Sequence, residues 1–233
     1  MDTDTTAMGE GIGFQTTRWS LVRAARNLAA LDALIGIYWK PLYFFVRQHG
    51  YDNETAKDIT QDFLTTLLER ESLLKADPAR GRFRTFLLAA LSNFLKDQRK
   101  SAGRLKRGGG RTLLSLDFAQ GETDYGLQAA QGEAPEQLLN RAWAKSLWER
   151  SLAELRADPA HLEAFQLYLR DVDYKSIAER TGLSEGAAVA AVHRLKGQLR
   201  DVVVGHIRET VSSDEELRAE LAEFKALLSG LTS

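Results

Sequence analysis

The side chains best placed for chemistry lie in residues 171–200, and the chemistry they suit is contact with nucleic acid. The segment has the sequence DVDYKSIAERTGLSEGAAVAAVHRLKGQLR. Cationic and imidazole groups on one helix can reach DNA phosphates or base edges. The candidates are His193, Arg194, Lys196 and Arg200, with Ser184 and Glu185 at the start of the same predicted helix. The alternative interpretation is an ordinary helical hairpin with a solvated basic face.

Two helices and a short turn must position these side chains. Asp173 can cap the first helix, and Gly182 can adopt the positive φ that ends it. Ser184 can cap the second helix, and the Glu185 carboxylate suits the positive end of the helix dipole. An apolar stripe at helical spacing forms the inner face of the second helix: Ala188, Ala191, Val192, Leu195 and Leu199. These features predict a helix-turn-helix, whose second helix enters a DNA major groove.

The composition predicts an all-α protein. The chain has 233 residues, 44% of them hydrophobic, with only four prolines and no long stretch rich in β-branched residues. No run approaches the roughly 18 apolar residues of a membrane span, and the N-terminus does not resemble a secretory signal. The absence of cysteine fits a cytoplasmic protein. We therefore expect a cytoplasmic protein with no membrane partner.

A glycine run at 108–110 and an acidic stretch with little periodicity after it predict a flexible linker between two helical domains. Charge is also segregated along the chain, and local patches matter for binding more than the total. The net charge is −1, but residues 96–111 hold seven Lys or Arg against one Asp, and residues 112–137 hold five acids and no base. The predicted boundaries are a disordered N-terminus at 1–15, a first domain at 16–100, a flexible acidic linker at 101–136, a second domain at 137–211 and an amphipathic helix at 212–233. That last helix is either a packed tail or a partner-binding or self-inhibiting element.

The first domain carries two further polar surfaces. In the predicted helix 54–70, the wetter side holds Glu54, Asp58, Gln61 and Asp62. Nothing nearby completes a catalytic or metal site around the two aspartates, so a solvated or partner-facing acidic surface is predicted. In and before the predicted helix 83–100, basic residues alternate with aromatic ones, a pattern that suits single-stranded nucleic acid. Its polar candidates are Arg80, Arg82, Arg84, Asn93, Lys96, Arg99 and Lys100. A core helix with a basic outer face is the alternative.

The remaining features of the first domain concern its core. A helix is predicted at 33–49, with Asp32 as its cap and with aromatic residues that are too numerous for one face. Core packing is the interpretation for most of them, with any remainder facing a protein partner. Histidines are scattered along the chain, without the spacing of a metal or nucleophile site. We expect no enzymatic activity, no metal and no cofactor.

In their order along the chain, these pieces resemble an extracytoplasmic-function sigma factor of bacterial RNA polymerase. The stretches TAKDITQDFLTTLLE and RGRFRTFLLAALSNFLKDQR are similar to the second region of that family, and YKSIAERTGLSEGAAVAAVHRL is similar to its fourth region. The stretches TTRWSLV, YWKPLYFFVRQHG and KRGGG are similar to a subgroup of such factors. The resemblance covers residues 17–211.

The resemblance implies a function for each surface. The first domain would bind the clamp helices of the polymerase β′ subunit through Glu54, Asp58, Gln61 and Asp62. It would also melt and contact the promoter −10 element through the basic helix, where Asn93 and Arg99 match residues of the family. The second domain would contact the −35 element as duplex through the residues that begin at Ser184, and it would touch the β flap. The linker would thread toward the active-site cleft.

The chain departs from the family pattern at two places. The polymerase-binding helix of the family usually begins Asp-Ala-Glu-Asp, whereas this chain has Thr-Ala-Lys-Asp at 55–58. Against a basic partner surface, the threonine and the lysine should weaken docking. A phosphate on Thr55 would restore about −1.5 to −2 charges. We therefore hypothesise that a Ser/Thr kinase activates the protein at Thr55, with Thr60 as the second candidate. The alternative is that Thr55 merely begins the helix. In the −35-contacting helix, Val189, Ala190 and Ala191 stand where relatives often have Lys or Arg.

A different class of function also fits the residues. A free-standing transcriptional regulator could combine one helix-turn-helix with an N-terminal sensor domain. Such a regulator usually dimerises to place two recognition helices one turn of DNA apart. It would bind its operator without polymerase, whereas a sigma factor binds promoter DNA as part of the holoenzyme.

Overall fold

Every regular element in the described part of the chain is an α-helix, so the all-α prediction is confirmed. The computed structural model describes residues 28–69, 82–101, 116–129 and 134–230. The helices are α1 (Leu28–Gln48), α2 (Asn53–Glu69), α3 (Phe83–Ser101), α4 (Phe118–Ala129), α5 (Pro135–Ala153), α6 (Pro159–Tyr168), α7 (Tyr174–Thr181), α8 (Glu185–Arg208) and α9 (Asp214–Ser229). None of these helices has both the length and the apolar character needed to cross a membrane.

Helix α1 is the central element because neighbours cover it on several sides. It packs most extensively on α5, and also on α2 and α4. The aromatic side chains that seemed too numerous for one face are all buried: Tyr38, Trp39, Tyr43, Phe44 and Phe45. A helix that is apolar around its whole circumference belongs inside a bundle. Their interpretation as core residues is therefore confirmed.

The predicted start of this helix is wrong. Asp32 lies inside α1, which is already helical at Leu28, so the aspartate does not cap it. The run Leu28-Ala29-Ala30-Leu31 consists of strong helix formers, whose summed propensity outweighs the capping preference of one aspartate. Residues 1–27, which include the predicted disordered N-terminus at 1–15, lie outside the described residues.

One apolar core runs through most of the described chain. Leu42 of α1, Leu91 of α3, Leu147 of α5, Leu195 of α8 and Phe224 of α9 all belong to it. A smaller cluster joins α6, α7 and α8. The main core therefore contains residues from both halves of the chain, and the division into two domains stays a prediction.

The acidic half of the predicted linker contains a helix that its sequence pattern did not indicate. Residues 118–129 form α4, although the pattern predicted no regular structure there. Phe118 packs edge-on against Trp39, with ring centroids 5.3 Å apart. The Asp124 carboxylate lies 2.7 Å from Lys40 Nζ, and the Glu122 carboxylate lies 2.7 Å from Arg47 Nη2. Tertiary contacts can stabilise a short helix of weak intrinsic propensity, and these contacts are visible only in three dimensions.

Two glycines of α4 give a matched test of this packing. A Cβ at Gly121 would lie 3.0 Å from the Trp39 ring, whereas a Cβ at Gly126 meets nothing within 4 Å. We expect Gly121→Ala to lower the free energy of unfolding by about 1–3 kcal/mol through overpacking. Gly126→Ala should raise it by roughly 0.5–1 kcal/mol because alanine favours the helix. Urea unfolding measures both free-energy changes. Equal changes for the two variants would contradict the packing of α4 against Trp39.

Candidate nucleic-acid interface

The turn between α7 and α8 has the local geometry that the sequence predicts. The Asp173 carboxylate accepts a hydrogen bond of 3.0 Å from the Ser176 N–H. Gly182 ends α7 with a φ of 72°, in the left-handed region. Ser184 Oγ accepts a hydrogen bond of 3.2 Å from the Ala187 N–H and caps α8. Both predicted caps and the glycine stop are confirmed.

The inner face of α8 is held from two directions. Its predicted apolar stripe is buried: Ala188, Ala191, Val192, Leu195 and Leu199. Ala188 packs in the small cluster with Ala164, Leu167 and Ile177, whereas Leu195 belongs to the main core. Because both ends of the stripe are anchored, the opposite face of α8 stays toward solvent.

That solvent face carries the residues predicted to contact duplex DNA. The exposed set is Ser184, Glu185, His193, Arg194, Lys196 and Arg200. Two cations have internal contacts: Arg194 Nη2 donates to His161 Nδ1 at 3.3 Å, and Lys196 Nζ donates to the Tyr168 hydroxyl at 3.0 Å. The hydrogen bond to Tyr168 raises the pKa of Lys196. These contacts reduce the freedom of the two side chains while leaving them exposed.

The basic helix α3 is divided into an open end and a closed end. At its open C-terminal end, Asn93, Lys96, Arg99 and Lys100 are exposed. Arg99 Nη2 donates to the His49 carbonyl oxygen at 3.2 Å, and its guanidinium lies 5.6 Å from the Tyr51 ring centroid. Arg80 lies outside the described residues. The open end is therefore the accessible part of the predicted single-strand surface.

At the closed N-terminal end of α3, acidic side chains of α9 form ion pairs with the arginines. Arg84 Nη2 lies 2.9 Å from carboxylate oxygens of both Glu220 and Glu223. Arg82 Nη1 lies 2.6 Å from Glu223, and Arg82 Nε lies 3.4 Å from Glu220. The Arg84 side chain is only 7% exposed. Helix α9 therefore covers Arg84 in this conformation, and the contact of Arg84 with the −10 element stays a prediction.

The site around Arg84 is largely removed from water. The guanidinium lies 4.1 Å from the Trp143 ring centroid, and Arg84 Nη1 is buried without a hydrogen-bond partner. Burial raises the pKa of Glu220, against the opposing effect of the Arg84 and Arg82 charges. Buried ion pairs are weak contributors to stability because desolvation offsets much of the attraction. They do fix which groups pair with each other.

The acidic side of α2 is open, and its start is tightly capped. Glu54 and Asp58 are exposed, whereas Gln61 and Asp62 are partly exposed. Lys57 Nζ lies 2.7 Å from the Glu54 carboxylate, so one acid of this side has a cation beside it. The four residues predicted to bind a partner thus all reach solvent from one helix.

Thr55 and Thr60 have different environments. Thr55 is partly exposed, and its hydroxyl and its N–H each donate to the Asp52 carboxylate at 2.9 Å. These hydrogen bonds, the backbone one first, lower the pKa of Asp52. Thr60 is fully buried, and its hydroxyl donates to the Ala56 carbonyl oxygen at 2.7 Å. The Thr60 hydroxyl is not accessible to a kinase in this conformation, so its burial favours Thr55 over the second candidate.

The sequence interpretation missed the contact between α3 and α9, although a signal was present. Glu220 follows Leu217 by three positions and precedes Phe224 by four, which places it on the apolar face of α9. Arg84 precedes Leu87 by three positions and Leu91 by seven, which places it on the apolar face of α3. Because Glu220 and Arg84 each lie within an apolar stripe and carry opposite charges, an ion pair between them could have been predicted.

Within the described ranges, no three His, Asp or Glu side chains form a group that could hold a metal ion.

No protein-family model matches the chain, and neither a search of curated proteins nor a search of solved structures finds a significant match. The sequence pattern and the geometry are therefore the basis for any functional proposal.

The two threonines of α2 provide a stability test. Thr60→Glu should lower the free energy of unfolding by about 3 kcal/mol or more because it buries an unpaired carboxylate. Thr55→Glu should change it by about 1 kcal/mol or less because the site reaches solvent. Thr60→Val, which keeps the shape, is the control and should cost about 1 kcal/mol. Guanidinium unfolding measures all three, and similar losses for both Glu variants would contradict the burial of Thr60.

Proposed function

We propose that this chain is an alternative sigma factor, similar to the extracytoplasmic-function group, which binds core RNA polymerase and directs it to promoters. The observation that carries the proposal is the solvent face of α8, where His193, Arg194, Lys196 and Arg200 extend from a helix set by a capped turn. Support also comes from the order of the sequence motifs, in which an acidic helix and a basic aromatic helix precede this turn.

Each surface has a distinct part in the proposed mechanism. The acidic side of α2 would bind the β′ clamp helices, and α8 would contact the −35 element in the major groove. The open end of α3 would hold the separated −10 strand. Strand separation costs roughly 1–2 kcal/mol of stacking per base-pair step. Aromatic and cationic contacts to unpaired bases can recover part of that cost.

The charge distribution explains why such a protein would act with polymerase. With a net charge of −1, the chain lacks the excess positive charge that supports strong nonspecific DNA binding. Tethering both DNA-contacting surfaces to one large complex raises the effective concentration of the second contact once the first has formed. Run-off transcription with core polymerase and genomic promoter fragments tests this function. Core enzyme that initiates equally with and without the protein at every promoter would contradict it.

A free-standing regulator is the second candidate, and one observation favours it. The main apolar core includes residues of α1, α3, α8 and α9, so it joins helices from both halves of the chain. A single body suits a regulator that binds an operator alone. Mobility-shift assays with and without core polymerase distinguish the two candidates.

The exposed cations of α8 give a prediction about DNA affinity. Arg194→Gln and Arg200→Gln should each weaken binding of the holoenzyme to −35 duplex and lower the salt slope by about 0.9 for each lost phosphate contact. Association with core polymerase should be unchanged. Arg218→Gln, which removes the same charge from an exposed position on α9, is the control. Equal salt slopes for all three variants would contradict the assignment of α8 to DNA.

We also propose that phosphorylation of Thr55 activates polymerase binding. The hydroxyl is partly exposed in the first turn of α2, where the helix dipole favours negative charge. A phosphate there would add negative charge beside Glu54 and Asp58 and would compensate for Lys57. It would also replace a hydroxyl that donates to Asp52, so the start of α2 would rearrange.

Polymerase binding measures this effect directly. Phosphorylated protein should bind core polymerase about tenfold more tightly than unmodified protein, which corresponds to about 1.4 kcal/mol. Thr55→Glu should give a smaller gain because it adds one charge instead of about two. Thr55→Val should match unmodified protein and should not respond to the kinase. Equal affinity of the unmodified, phosphorylated and Glu forms would remove the proposal.

A further inference from the structure

We infer that α9 is an intramolecular inhibitor of α3, in which the Glu220 and Glu223 carboxylates occupy the arginines that would otherwise bind the phosphates of a single strand. The inference rests on the proposed role of α3 as the helix that contacts single-stranded DNA. We call this contact the acidic latch, meaning Glu220 and Glu223 of α9 with Arg84 of α3 and Arg82, which immediately precedes that helix. It adds a regulatory step that lies within the chain itself.

The latch pairs each arginine with both carboxylates. Nitrogen–oxygen distances from Arg84 are 2.9 Å to each glutamate, and those from Arg82 are 2.6 Å to Glu223 and 3.4 Å to Glu220. Arginine binds carboxylate and phosphate oxygens with the same planar set of donors. Two carboxylates facing two adjacent arginines therefore occupy the donors that a nucleic-acid backbone would use.

Buried apolar side chains hold α9 in place for this contact. We call Leu217, Phe224 and Trp143 the apolar seat of α9. Leu217 and Phe224 are buried on both sides of Glu220 in sequence, and Phe224 packs edge-on against Trp143 with ring centroids 5.9 Å apart. Trp143 also lies beneath the Arg84 guanidinium, at 4.1 Å. Trp143 therefore contacts both the inhibiting helix α9 and Arg84, one of the arginines that α9 covers. Weakening the apolar seat should open the latch without changing any charge.

The balance of energies makes the latch reversible. Burying Glu220 and Arg84 costs desolvation energy that their attraction only partly returns, and Arg84 Nη1 remains without a hydrogen-bond partner. Opening returns both groups to water. It also frees the guanidinium donors of Arg82 and Arg84 that the two carboxylates occupy. Freed guanidinium donors can bind the phosphates of a single strand.

The first test removes the acids. A fluorescein-labelled single-stranded DNA of mixed sequence is the probe, and its affinity for the full chain is measured by anisotropy at fixed salt. Glu220→Gln with Glu223→Gln should tighten binding roughly 5- to 150-fold, the range of typical intramolecular coupling. Glu136→Gln with Glu215→Gln is the matched control because it removes the same charge from exposed positions. An equal gain in both double variants would overturn the inference, since net charge alone would explain it.

The second test leaves every charge in place. Phe224→Ala should loosen α9 and tighten binding of the same probe in the same direction. Adding Arg82→Gln and Arg84→Gln to the Phe224→Ala chain should abolish that gain. Faster amide exchange in α9 without tighter binding, or a gain that persists without the arginines, would overturn the inference.

A third measurement uses the unmodified chain, so it does not depend on how a variant folds. Because coupling is reciprocal, saturating probe should speed amide hydrogen exchange across α9. Unchanged or slower exchange in α9 at saturation would overturn the inference.

Core-polymerase association, measured in parallel, separates this inference from the proposed function. Latch-dependent binding of the probe without polymerase association would support the latch and remove the sigma-factor proposal. Polymerase association without any gain from Phe224→Ala would do the reverse.

Discussion

The burial of α1 is the constraint on which the rest of the structure depends. Its aromatic side chains lie on more than one face, and exposing any of them to water would cost free energy. Helices α5, α2 and α4 therefore pack around it. The contact with α5 brings the second half of the chain against the first. It thereby allows α9, which packs on α5 and α8, to meet α3. The closed arrangement of the arginines thus follows from the packing of a helix far from them in sequence.

Elements defined by local chemistry were predictable from the sequence. Asp173, Gly182 and Ser184 adopt the predicted roles because caps and left-handed stops depend on neighbouring residues. Their partners lie within four positions, inside the range over which sequence patterns are informative. The solvent exposure of Arg194 and Arg200 also follows from the apolar stripe on the opposite face of α8. The roles of these cations in binding DNA remain predictions.

Features that depend on distant partners could not be predicted in the same way. Residues 118–129 have little periodicity of their own, and their helix packs on α1, where for example Lys40 precedes its partner Asp124 by 84 positions. Arg84 looked like a surface cation because its acceptors lie on the last helix. Thr60 was the second candidate after Thr55, but the sequence did not show that its hydroxyl is buried. In each case the deciding contact joins residues brought together by folding or depends on burial.

The central position of α1 also has a consequence for synthesis on the ribosome. Helix α1 ends at Gln48, whereas its main packing neighbour α5 begins only at Pro135. At ordinary elongation rates, the interval between them lasts on the order of ten seconds. During that time the aromatic surface of the nascent helix lacks its final cover. Chaperone binding to this early segment would therefore protect the cell from aggregation before the bundle closes.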